Sequence, residues 1–173
     1  MSILDNPNFP MMDGSRIFYT SYKNALNSGA SFTELIGMDE FTGGEIVNEY
    51  DEYRTFNNSV VYKRMRCKNF KNISIKTGKI VNDNPGAFYN SASRIIYDLC
   101  NNRTKIDLVK CVPIFNSDNF ECTIYSGFLI SANCDDVLPN THSSGTYDFI
   151  VDNVKEAVGT ISSSGSLSLV ERT

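Results

Sequence analysis

The sequence predicts a mainly β fold, a small β-barrel or sandwich of seven or eight strands with one flanking α-helix, in a single domain. Three observations predict it. The chain has 173 residues, 41% hydrophobic and 21% charged, which suits one ordinary globular core. Period-two alternation recurs along most of the chain, most clearly in FECTIYSGFLISAN (120–133), where Phe120, Cys122, Ile124, Phe128, Ile130 and Ala132 are expected on one face. Only one segment carries helical spacing.

Residues 1–14, rich in Asn, Pro, Met and Gly, are expected as an irregular arm, and the β core spans 15–158. SRIFYTSY (15–22) reads as the first strand, KNALNSGA as a turn, and SFTELIGM (31–38) as the next segment before Gly43-Gly44 break the chain. EIVNEYDEY (45–53) alternates weakly and carries Glu45, Glu49, Asp51 and Glu52. RTFNNS reads as a loop, and VVYKRMRC (60–67) and NISIKTG (72–78) as strands rich in β-branched residues. The helix is expected near 85–101: Asn84 suits the cap, Pro85 the first helical position, and Phe88, Ala92, Ile95, Ile96 and Leu99 form an apolar face. TKIDLVKCV (104–112) stops at Pro113, NSDN (116–119) is a turn, and TYDFIVDNVKEAV (146–158) is a further long strand. The stretch from 159 to 173, broken by SSSGS, is expected as a C-terminal arm or short strand.

The chemistry carried by motifs is sparse. There is no GxSxG, HExxH, Walker A or GxGxxG pattern. The sole histidine, His142, sits in the polar loop LPNTHSSG, and the adjacent pairs Asp135-Asp136 and Asp51-Glu52 point to opposite faces of an extended chain. The sequence therefore predicts no enzyme, cofactor or metal site. The five cysteines, Cys67, Cys100, Cys111, Cys122 and Cys134, form no CxxC pair and read as buried, reduced thiols. No run of 18 apolar residues exists, and the N-terminus lacks a basic segment followed by an apolar one; the expectation is a chain made in a cytoplasm, with no membrane span.

One stretch stands out. KRMRCKNFK (63–71) holds five cations in a chain whose net charge is −4. Nucleic-acid binders carry a basic excess over the whole domain; here the basic stretch has an acidic counterpart about fifteen residues upstream, in Glu45, Glu49, Asp51 and Glu52. The two segments either pair as neighbouring strands or face their complements on another copy. On a regular strand Lys63, Met65 and Cys67 share one face and Arg64, Arg66 and Lys68 the other, an arrangement better suited to a surface that another subunit covers than to a core. Contact between subunits through Glu45, Glu49, Asp51, Glu52, Arg54, Lys63, Arg64, Arg66 and Lys68 is the favoured expectation. A plain solvated strand and a nucleic-acid surface with Tyr62 and Phe70 as stacking groups are the alternatives.

Taken in order, SRIFYTSY, FTELIGM, EIVNEYDEYRTFNN and KNISIKTG resemble the opening of the tail tube proteins of contractile-tailed phages and related injection systems. Phe32, Glu34 and Gly37 fill that family's F-x-E-x-x-G motif, and Asn72, Ile73, Lys76 and Gly78 its N-I-x-x-K-x-G strand; Phe88 and Tyr89 fit the early aromatic place of its helix. The resemblance covers roughly 15–158; the chain departs from the pattern in having no Trp. It implies a tail-tube or Hcp-like fold and a structural subunit of the inner tube, whose hexameric rings stack around a channel. The implied partners are other copies, sheath protein, baseplate or tube-initiator protein and tape-measure protein, with DNA or effector passing without specific binding. It implies a place in a virion tail assembled in host cytoplasm. A type VI or extracellular injection tube, or a baseplate tube-initiator, shares the resemblance.

Overall fold

A computed structural model describes residues 14–55, 60–78, 92–134 and 144–173. Among these residues ten strands and one helix run in chain order: β1 (Arg16–Ser21), β2 (Thr33–Glu34), β3 (Met38–Thr42), β4 (Ile46–Arg54), β5 (Val61–Phe70), β6 (Ile73–Gly78), α1 (Ala92–Asn101), β7 (Lys105–Pro113), β8 (Asn119–Cys134), β9 (Ser144–Ile161) and β10 (Leu167–Glu171). Eight strands make one antiparallel sheet in the order β2-β1-β7-β8-β9-β6-β3, with β10 beside β9; β4 and β5 form a separate ribbon. The expected mainly β architecture with a flanking helix is present. The expected helix start at Asn84 and Pro85, with Phe88 and Tyr89, lies outside the described residues, as do His142, Asp135-Asp136 and most of the 1–14 arm.

The sheet buries an apolar layer on each face. The first layer joins Ile17, Ile73, Ile75, Leu108, Tyr125 and Phe149 with the helix residues Ala92 and Ile96. The second joins Phe18, Val109, Cys111, Phe120, Cys122, Ile124 and Leu167. Helix α1 meets the sheet on the face its spacing predicts: Ala92 and Ile96 are buried, and Ile95 and Leu99 pack at the margin. Its first amide donates to Ile36 O (2.9 Å), and it ends where Arg103 adopts positive φ and Thr104 N donates back to Leu99 O.

Strand β8 corrects one sequence expectation. Phe120, Cys122 and Ile124 do share the second layer, and Tyr125 and Leu129 face the first as alternation requires, but Ile130 is 47% exposed and Ala132 joins the first layer. The ladder between β8 and β9 has two register shifts, and the second explains this. Ser126 pairs with Asn153 and Gly127 with Val151, leaving Asp152 extra on β9; Leu129 pairs with Phe149 and Ser131 with Asp148, leaving Ile130 extra on β8. An extra residue flips the faces beyond it on its own strand: Ile130 turns Ala132 toward the first layer, and Asp152 acts on β9, where Val151 and Val154 both meet that layer. Gly127 is required at the first shift, since a Cβ there would lie 1.8 Å from Ile150 O.

The C-terminal segment is also more structured than an arm. Strand β9 runs to Ile161, and β10 returns along it from Leu167↔Ile161 to Glu171↔Ala157. Leu167 is buried, and Leu169 packs on the second layer. The SSSGS break forms the connecting turn, held by Ser162 N donating to Ser166 O (2.9 Å).

Candidate functional site on the projecting ribbon

The acidic and basic segments meet in the β4–β5 ribbon. Ile46 pairs with Phe70, Asn48 with Lys68, Asp51 with Arg64, Glu52 with Lys63 and Arg54 with Val61. Three cross-strand ion pairs follow: Lys71–Glu45 (2.7 Å), Lys63–Glu52 (3.4 Å) and Arg66–Asp51 (4.0 Å). All six side chains are at least half exposed, so each pair contributes at most about 1 kcal/mol. Among the described residues Arg54, Arg64 and Lys68 make no ion pair.

A register shift between Glu49 and Tyr50 leaves Arg66 as the extra residue on β5. It corrects the expected faces. Cys67 lies with Arg64 rather than with Lys63 and Met65, and the Glu49 carboxylate accepts from Cys67 Sγ (3.2 Å) and Asn69 Nδ2 on that face. The Glu49 hydrogen bond pushes the Cys67 thiol above its ordinary pKa. Cys67 is exposed, against the expectation of a buried thiol; Cys111 and Cys122 are buried as expected.

Apolar groups are exposed on both faces of the ribbon. Tyr50 and Met65 share one face at 53% and 65% exposure, with Lys63 Nζ over the Tyr50 ring. On the other face the Tyr53 and Tyr62 rings stack with centroids 5.4 Å apart. A two-stranded ribbon with no buried face is marginal in water by itself. At its base Phe70 packs against the first core layer. Phe70 and Tyr62, the rings a nucleic-acid surface would use, are thus both engaged within the chain.

The resemblance motifs acquire structural roles. Phe32 packs on the second layer. Glu34 clamps Arg16 across β1–β2 through two bonds of 2.8 and 2.6 Å, and Gly37 turns the chain at φ 90°. In the second motif Ile73 is fully buried, and Lys76 pairs with Glu40 of β3 (2.8 Å).

Sequence reasoning missed Asp107. It is buried, and its carboxylate accepts from Lys23 N (2.9 Å), Asn24 N (3.0 Å), Ala25 N (3.1 Å) and Ser126 Oγ (2.7 Å). It thereby anchors the turn after β1. The available signal was a carboxylate inside the apolar run KIDLV. Beside it lies a cavity of about 310 Å³ lined in part by Lys23, Leu26, Asn153 and Lys155. With four donors on Asp107, its carboxylate serves as an anchor for the turn. At the margin of this region Tyr22 donates to Asp152 (2.7 Å), which raises the phenol pKa.

No family model matches the sequence, and no curated protein matches it. Solved structures do. A chain of the sheath–tube complex of an extracellular contractile injection system (PVC) superposes with a TM-score of 0.55 at 15% identity, covering 82% of this chain and 87% of that one. A chain of the tube-terminating cap of the anti-feeding prophage gives 0.56 at 16% identity, covering 82% and 87%. A chain of the baseplate of the same prophage gives 0.55 at 9% identity, covering 82% and 91%. The likeness spans most of each chain, and the protein has the tail-tube-like fold found in the tube, cap and baseplate assemblies of contractile injection systems.

Proposed function

We propose that this chain is a structural subunit of the tube of a contractile tail or injection machine, whose copies close into rings stacked around a channel. The observation that carries the reading is the ribbon: two strands exposed on both faces, tied to a well-packed body whose fold recurs in tube, cap and baseplate assemblies. An element that buries so little within its own chain gains stability from a neighbouring copy. Head-to-tail contacts that close give rings, and those that do not close give a filament.

The charge layout supports contact between copies through Glu45, Glu49, Asp51, Glu52, Arg54, Lys63, Arg64, Arg66 and Lys68. The in-chain ion pairs set the register of the ribbon, while Arg54, Arg64 and Lys68 remain to meet acids of the next subunit. Sheath, baseplate and tape-measure proteins are the further partners of such a tube. A net charge of −4 per copy repels phosphate along a channel, which suits passage of DNA without binding.

The test is electron microscopy of the concentrated protein, alone and with the matching sheath and baseplate proteins, for the parent and for Arg64→Glu combined with Lys68→Glu. Rings or tubes from the parent, and folded single copies from the variant, are expected. Tubes of normal length from the variant refute the contact, and small particles from the parent under every condition refute the tube. A second reading, a terminator or initiator of the same fold, draws on the cap and baseplate likenesses; it predicts single or few rings.

A further inference from the structure

Two cysteines lie side by side in the second core layer. Cys111 of β7 and Cys122 of β8 are direct register partners. Both are fully buried, and their sulfurs are 3.0 Å apart. Direct antiparallel partners stand about 4.5–5.5 Å apart at Cα, within the roughly 4.4–6.8 Å that a disulfide spans. The backbone is therefore already placed, and bonding requires the sulfurs to close by about 1 Å to reach a length of about 2.05 Å. Room for them is left by Gly159 on the neighbouring strand, where a Cβ would meet Cys122 Sγ at 2.6 Å.

We propose that Cys111 and Cys122 are a redox modification site, dithiol where the chain is made and converted to a cross-strand disulfide by a small peroxide. Cys122 loses its proton, and its thiolate attacks one peroxide oxygen. The O–O bond breaks, hydroxide leaves, and the sulfur becomes a sulfenic acid. Cys111 then loses its proton, and its thiolate attacks the Cys122 sulfur; the S–S bond forms, the S–O bond breaks, and a second hydroxide leaves. The two protons and two hydroxides make two waters, and the two electrons lost by the sulfurs reduce the peroxide. The order of ionisation follows from the shared hydrogen bond, which lowers the pKa of Cys122 and raises that of Cys111. The product staples β7 to β8 within the second layer and resists reduction there, among Phe18, Val109, Phe120 and Leu167.

The experiment uses the full chain carrying Cys67→Ser, which removes the exposed competing thiol. The folded protein is treated with hydrogen peroxide, then denatured, and its thiols are counted. The expected result is the loss of two of the remaining thiols. Cleavage after Glu121 then yields Cys111 and Cys122 peptides joined by a bond that a reductant releases, and the oxidised protein unfolds at a higher denaturant concentration. A parallel Cys111→Ser, Cys67→Ser chain is expected to form no such link and to hold a sulfenic acid trappable on Cys122. The proposal is overturned if no thiols are lost in the time that peroxide consumes Cys67 of the parent. It is equally overturned if the bond joins either residue to Cys100 or Cys134.

Discussion

Replacing Asp107 tests whether one buried carboxylate holds the second core layer together. Its oxygens divide the work: Oδ1 accepts from Lys23 N and Ser126 Oγ, and Oδ2 from Asn24 N and Ala25 N. Asparagine has the same shape but only one acceptor oxygen. With that oxygen in place of Oδ1, the amides of Asn24 and Ala25 face an NH₂ group; with it in place of Oδ2, the amide of Lys23 does. Either way at least one backbone donor is stranded, and the charge that strengthens the remaining bonds is gone. A hydrogen bond to a charged group contributes about 1.5–3 kcal/mol, and a stranded buried donor costs about 1–3 kcal/mol. Asp107→Asn is therefore expected to destabilise by about 3 kcal/mol, a large share of a total of about 5–15 kcal/mol. For a chain of this length that lowers Tm by about 10 °C. Ser126→Ala, which removes one donor and leaves three, costs about 1 kcal/mol. Urea unfolding followed by circular dichroism gives both values. If Asp107→Asn stays within about 1 kcal/mol of the parent at unchanged m-value, the anchoring argument fails.

Three further outcomes follow from other contacts. A double-mutant cycle on Arg16→Ala and Glu34→Gln should give a coupling of about 1–2 kcal/mol, since the bidentate pair is mostly buried at 13% and 22% exposure; a coupling indistinguishable from zero means the clamp does not hold β1 to β2. Gly127→Ala should cost about 3 kcal/mol or more, because the new methyl would collide with Ile150 O, and an unchanged unfolding midpoint would show that the β8–β9 shift can move aside. Tyr22 should titrate above the ordinary tyrosine value, since its hydroxyl donates to Asp152 and its pKa is raised. The bonded form is the neutral phenol, so the contribution of this contact is present below the ordinary value of about 10 and is lost as pH rises through the higher folded one. Ultraviolet titration of Asp152→Asn should bring Tyr22 back to the ordinary range, and superimposable curves would rule the contact out.

The sequence made the type of most elements legible and their faces less so. The apolar face of α1 follows from spacing alone, since Ala92 and Ile96 are the residues it buries. In β8 the same reasoning holds as far as Leu129 and fails from Ile130 on, because Ile130 is inserted on the β8 side of the ladder. A bulge has no composition signal as strong as a turn, and each one reverses every later assignment. The ribbon shows the same failure at Arg66, which moved Cys67 to the other face. Asp107 was missed for a different reason. Period-two logic assigns a polar residue to a solvated face, yet β7 is covered on both faces, so the carboxylate had to find its donors in the turn after β1.

The body and the ribbon divide stability between them. Around β7, β8 and β9 both faces of the sheet are covered by apolar layers, and the buried polar groups that recur there, Asp107 and Ser126, are bonded to each other. The ribbon has neither advantage. Its ion pairs lie in solvent, where salt screens them, and Tyr50, Tyr53 and Met65 expose half or more of their surface. In an isolated copy those strands therefore open at low free-energy cost while the body stays closed. A neighbour that covers one face removes apolar surface from water and strengthens the same ion pairs by excluding solvent. In the proposed assembly, ordering of the ribbon and contact between copies are then one event, with Arg54, Arg64 and Lys68 as the contact cations that proposal names.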